Sequence, residues 1–298
     1  MKQTTLFVTI LCFAAGSCTK DKTDYASEIG TEVPQHLEFK EAYALNSNGY
    51  NISLEAINGT FYTGYNEIHL TVTDGLTGEN VKPAGITFRP TLVEATGQKT
   101  SCPHLYALAY QEDAGYFSGY SVFTAESGAA GTWDLRIGFT VGGQTYAVDQ
   151  RITVEQHPNK NRNMTTFTGK DDRQYLIALV SPQTPSVGEN ELIAGIYRLD
   201  VDDQQGGYTQ VDGYTLLLDP RMPEPSMGNH SSPNNVDLTQ QEDGLYRGLV
   251  NYTMTGNWTL NLIMLNSDGR ILRGTEVPTD FTPGVAGVKS ELRIDILF

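Results

Sequence analysis

Gly131-Thr132-Trp133-Asp134-Leu135-Arg136-Ile137-Gly138-Phe139-Thr140-Val141 sets large apolar side chains at every second position, and Gly256-Asn257-Trp258-Thr259-Leu260-Asn261-Leu262-Ile263-Met264 repeats the arrangement later in the chain. Alternation at period two places one set of side chains on each face of an extended chain, so both stretches read as half-buried strands. The same pattern holds for Ile68, Leu70 and Val72, and for Leu292, Ile294, Ile296 and Phe298 at the C-terminus. Asn48-Gly49, Asp74-Gly75, Gly142-Gly143, Asp212-Gly213 and Asp268-Gly269 punctuate the runs at hairpin spacing. No long window has helical periodicity. The expected class is all-β, built as antiparallel sandwiches.

The two Trp stretches belong to a longer internal repeat. Asn66-Glu67-Ile68 recurs as Asn190-Glu191-Leu192. Gln111-Glu112-Asp113 with Tyr116 and Gly119 recurs as Gln241-Glu242-Asp243 with Tyr246 and Gly248. Matching blocks in one order, 124 to 130 residues apart, indicate a duplicated domain. The expected organisation is a first sandwich over residues 37–156, a linker over 157–171 rich in Asn and Lys, and a second sandwich over 172–298. In each half the single Trp is expected to anchor the core.

The 298 residues carry 35 Asp plus Glu against 20 Lys plus Arg, a formal net charge of -15. That balance argues against nucleic acid as a partner, since phosphate contacts need clustered cations. Lys2, the apolar run Leu6–Ala15 and the small residues before Cys18 read as a secretory signal over residues 1–17. Ala14-Ala15-Gly16-Ser17-Cys18 resembles a bacterial lipobox, which makes Cys18 the acylated N-terminus and residues 18–36 a polar tether. The expected location is the cell envelope, at the outer membrane, on its periplasmic face or at the cell surface. With Cys12 removed and Cys18 acylated, Cys102 has no partner for a disulfide.

Function concentrates in one segment. The strand Tyr214–Leu218 runs into Asp219-Pro220-Arg221-Met222-Pro223-Glu224-Pro225-Ser226-Met227-Gly228-Asn229-His230. Its prolines predict that the strand stops at Leu218 and a loop follows. Loops offer few reasons to bury methionine, whereas thioether and imidazole are donors suited to Cu(I). Met222, Met227 and His230 are therefore the expected copper ligands. In the first half Cys102 and His104 form a second, incomplete donor pair, expected at the equivalent point. No nucleophile elbow, phosphate loop or His-Glu-x-x-His motif is present, and the acidic turn Asp200, Asp202, Asp203 lacks the Gly and Glu that a calcium loop requires. The chain is not expected to be an enzyme.

Met222-Pro223, Met227-Gly228-Asn229-His230, Asp243-Gly244-Leu245-Tyr246-Arg247-Gly248 and Met254-Thr255-Gly256-Asn257-Trp258-Thr259-Leu260 together resemble the YtkA-like domain, a family related to FixH-like proteins. The resemblance covers roughly 190–265, and 66–140 through the repeat. It implies a small extracytoplasmic immunoglobulin-like sandwich associated with copper handling and cytochrome oxidase assembly. The expected function is a lipid-anchored protein that binds copper and buffers it or passes it to a receiving protein. The alternative is a metal-free surface lipoprotein that binds glycan or protein.

Overall fold

The computed structural model describes residues 37–157, 162–200 and 207–298. The signal segment, Cys18 with its tether, the linker core 158–161 and the Asp202-Asp203 turn lie outside them. Among the described residues no helix is long and apolar enough to cross a membrane.

The chain is all-β and its pairing is antiparallel, apart from a short parallel contact between Val154–Glu155 and Phe61–Tyr62. In the first half one sheet orders Phe39–Ser47, Tyr50–Ile57, Gly64–Asp74, Tyr116–Phe123 and Ala109–Gln111. A second orders Gln144–Ile152, Gly131–Val141, Ile86–Glu94 and Lys99–Thr100. Two tight hairpins fix the registers. Asn48-Gly49 (φ 53° and 86°) and Gly142-Gly143 (φ 57° and 80°) both adopt the left-handed backbone that a two-residue hairpin loop requires. The inward side chains form one buried cluster, with Leu54, Ile68, Phe88, Trp133, Ile137 and Phe139 at its centre.

The second half builds a separate cluster around Ile177, Ile196, Leu216, Tyr246, Trp258 and Leu260. Its strands form one continuous hydrogen-bonded path, because Val236–Gln240 pairs with Tyr246–Tyr252 on one side and with Thr215–Met222 on the other. The corresponding short strand of the first half, Ala109–Gln111, pairs only with Tyr116–Phe123, and the two layers there remain separate sheets. Val122, Leu176, Ala178 and Tyr197 form a third buried cluster that joins the halves.

The duplication extends to individual hydrogen bonds. Asn66 donates from Nδ2 to the carbonyls of Tyr62 (2.7 Å) and Gly64 (2.9 Å) and accepts from the Tyr62 amide. Asn190 does the same with Ser186 and Gly188 (2.7 and 2.9 Å). Trp133 and Trp258 are both fully buried, and each donates from Nε1 to a backbone carbonyl at 2.9 Å, of Ala125 and of Met254.

One expectation is corrected. The strand in front of the methionine segment does not stop at Leu218 but continues through Pro220 to Met222. Proline is tolerated there because Val236–Gln240 pairs only with Thr215 and Leu216; further along, one flank has no ladder until His230–Ser231 joins at Arg221 and Met222. The first half does likewise, carrying Pro90 inside Ile86–Glu94.

Candidate metal centre

Met222 and Met227 pack in the cluster that holds the second Trp, and His230 meets its ring. Met222 ends its strand fully buried in the core cluster that holds Trp258. His230 is its cross-strand partner on His230–Ser231, and directly opposed residues of an antiparallel pair project to the same face. The imidazole lies edge-on to the Trp258 indole, with centroids 6.0 Å apart. Met227 closes the 3-10 turn Pro225–Met227 and packs half-buried against the same cluster.

The connecting segment is held from beneath and from outside. Below, the buried Glu224 carboxylate accepts from Asn257 Nδ2 at 2.5 Å, tying the segment to the residue before Trp258. Outside, Gly287 donates to the Pro223 carbonyl (2.7 Å) and Asn229 Nδ2 to the Pro278 carbonyl (3.0 Å). Gly228 has φ 62°, and a side chain there would meet the Phe281 ring at 3.2 Å, so glycine is required for backbone and contact alike. The prolines thus sit in an ordered turn whose geometry is set by tertiary bonds.

The Thr253 hydroxyl stands 2.9 Å from His230 Nε2 and fixes the ring plane, which leaves Nδ1 as the nitrogen open to a ligand. Next to Thr253, Met254 packs half-buried on the same cluster and supplies the carbonyl that receives the Trp258 indole N–H. Met254 was not singled out from sequence as a donor. Its signal was its place in the Met254-Thr255-Gly256-Asn257-Trp258 run, where a turn brings its carbonyl to the indole N–H. Three thioethers, Met222 buried and Met227 and Met254 half-buried, thus belong to or pack on the cluster that holds Trp258, which the His230 imidazole also meets; thioether and imidazole are donor types suited to Cu(I). Among the described residues no group of three or more His, Cys, Asp or Glu gathers as for a harder metal.

The first half differs. Cys102 is buried, with its Sγ 3.2 Å from Ser121 Oγ, and burial pushes its thiol up to about 12. Such a thiol resists giving the thiolate that a metal needs. His104 Nδ1 is engaged with the Cys102 carbonyl at 2.7 Å; burial first, and then the Arg89 charge, lower its affinity for protons. Nor is the pair at the equivalent point. Leu135 lies opposite Pro90 as Leu260 lies opposite Pro220, and Leu92 pairs with Thr100 as Met222 pairs with His230. Two residues further on, Cys102 takes the place of Ser232. The sequence expectation of a matching sulfur and imidazole in both halves is therefore corrected: the counterparts of Met222, His230 and Met254 are Leu92, Thr100 and Ala125.

No curated protein matches the chain. A solved structure described as a conserved domain protein from Bacillus anthracis is similar at 9% identity over 87% of this chain and 90% of that one, with a TM-score of 0.24. Residues 169–262 match the family model described as YtkA-like, a stretch of the second sandwich that includes Met222, Met227, His230 and Met254.

Proposed function

We propose that this chain is a lipid-anchored envelope protein that binds Cu(I) in its second sandwich and buffers the ion or passes it to a receiving protein. One observation carries the reading. Around two equivalent tryptophans, the first half has Leu92, Thr100 and Ala125 where the second has Met222, His230 and Met254. The segment between the paired positions has equal length in both halves, and Met227 takes the place of Gly97. A core needs no sulfur at these positions, since the first half packs the same frame without it. Thioether and imidazole together serve a soft monovalent ion. Cys18 supplies the anchor, and acyl chains of about 0.8 kcal/mol per buried methylene hold the protein at a bilayer.

The test is an anaerobic Cu(I) titration of the chain from residue 19 onward against a competing chelator, with Met222→Leu/Met227→Leu alongside. Leu conserves volume and apolarity, and such swaps usually cost less than about 1.5 kcal/mol, so the fold is expected to survive. One equivalent bound by the native chain and a loss of at least about 100-fold in the variant is the expected outcome, equivalent to about 2.7 kcal/mol. Undiminished affinity in a folded variant removes these residues as ligands. Absence of binding in the native chain removes the copper reading.

A further inference from the structure

Opposite the core, the outer face of the first half's smaller sheet gathers four basic side chains against two acidic ones in an acidic chain. Phe88, Leu92, Trp133, Leu135 and Ile137 point inward, which turns Arg89, Thr91, Asp134 and Arg136 outward. With Lys99, Asp149 and Arg151 they border an open groove of about 680 Å³. Arg136 donates to Asp149 (2.9 Å) and Arg151 to Asp134 (3.1 Å). Arg89 and Lys99 have no acidic partner among the described residues.

The register makes Arg89 the exception that demands an account. It lies directly opposite Arg136, but Asp149 takes up only the Arg136 charge, so Arg89 is left facing a cation with no carboxylate of its own. Lys99 faces Val93, four residues and about 13 Å of strand rise beyond Arg89, so the two cations stand at separate places along the groove. Between them on the outer face stands the Thr91 hydroxyl. We propose that this groove binds an acidic saccharide, with one carboxylate or sulfate at Arg89, a second at Lys99, and a sugar hydroxyl on Thr91.

Competing occupants fit less well. No aromatic side chain lines the groove, so a protein partner lacks the buried anchor that usually dominates such interfaces. A bilayer would need apolar side chains for insertion, and two unpaired cations are few for a nucleic-acid backbone. The guanidinium fork suits planar carboxylate and sulfate alike.

The experiment is calorimetric titration of the chain from residue 19 onward with tetragalacturonate, a sulfated tetrasaccharide and neutral cellotetraose, repeated with vesicles containing phosphatidylglycerol. Native protein and Arg89→Gln/Lys99→Gln are compared; the substitutions leave both ion pairs in place, and an unchanged thermal midpoint controls for folding. Should the double variant not fold, Lys99→Gln alone serves. Binding of either acidic tetrasaccharide but not of cellotetraose, weakened at least about 10-fold in the double variant or about 3-fold in Lys99→Gln, is the expected result. Absence of binding by both acidic sugars, equal affinity in the variant, or binding to vesicles alone overturns the proposal. None of these outcomes bears on Met222 or Met227, so the copper reading is tested separately.

Discussion

The two tryptophan ends of this molecule share a frame and differ in what fills it. Trp133 sits against Phe123 (5.0 Å between centroids) and Trp258 against Tyr252 (5.4 Å), each indole is tied to the carbonyl of a turn residue, and each strand carries its proline opposite a leucine. What differs is the set of side chains at the matching positions: Leu92, Thr100 and Ala125 in one half, Met222, His230 and Met254 in the other. Backbone ladder and buried indole hold the frame. The positions around the indole are thereby free to carry chemistry in one half and packing in the other.

The strongest way to break that comparison is to move the chemistry across it. In a Met222→Leu/Met227→Leu background, Leu92→Met, Thr100→His and Ala125→Met place two thioethers and an imidazole on the first frame. Cu(I) affinity at least about 10-fold above that background, or about 1.4 kcal/mol, is expected in the same chelator competition. It should fall short of the native site, because Gly97 (φ 85°) is left in place of Met227. A folded graft that binds no better than its background would mean that the Pro223–Asn229 segment, and not the frame, makes the site.

How far the sequence foretold this contrast depends on the kind of signal. Period-two alternation and hairpin dipeptides identify strands because they report local chain geometry, and the class and the buried tryptophans followed from them. Two misreadings have one physical cause: register is not local. The matching Tyr116 and Tyr246 in the repeated blocks suggest equivalence. The ladders instead place Phe117 opposite Leu70 as Tyr246 lies opposite Ala194. A one-residue slip moves a side chain to the other face, so Tyr116 stacks outside on His69 while Tyr246 is buried. The equation of Cys102–His104 with Met222–His230 fails for the same reason. Met254 escaped notice because its partner, the Trp258 indole N–H, comes back to it only through the turn.

The Cys102 position sharpens the comparison at a smaller scale, since Ser232 takes its place in the second half and spends its hydroxyl on the Asn251 carbonyl and on Asn235. A buried thiol held up to about 12 keeps its proton where the unfolded chain, with an ordinary thiol near 9, has lost it. Its folded-state value is raised, so its contribution is complete below about 9 and drains away as pH climbs toward about 12, at about 1.4 kcal/mol for each pH unit. Urea midpoints measured from pH 8 to 10.5 should therefore fall more steeply for the native chain than for Cys102→Ser. Parallel curves would show that the thiol titrates alike in both states. Iodoacetamide should label Cys102 only after unfolding.

The smallest expected difference lies at the hairpin that leads into each pair of central strands. By register Arg247 corresponds to Ser118. In the second half Arg247 clamps Asp243 (2.7 Å) and Glu191 (2.9 Å), whereas in the first Ser118 accepts from Gln111 at 2.6 Å. The hydrogen bond from Arg247, with its charge and the Leu245 amide, holds the Asp243 carboxyl below its usual range. The clamp's contribution is therefore present above about pH 4 and is lost as the carboxyl gains its proton at lower pH. These groups are well exposed, and solvent and salt screen them, so Arg247→Gln should cost no more than about 1 kcal/mol at neutral pH. The cost should shrink toward zero as acid protonates the Asp243 carboxyl or in molar salt, while Gln111→Ala in the first half should show an effect independent of both. Equal salt and acid sensitivity in the two variants would mean that the ionic clamp adds nothing beyond the neutral bond its counterpart uses.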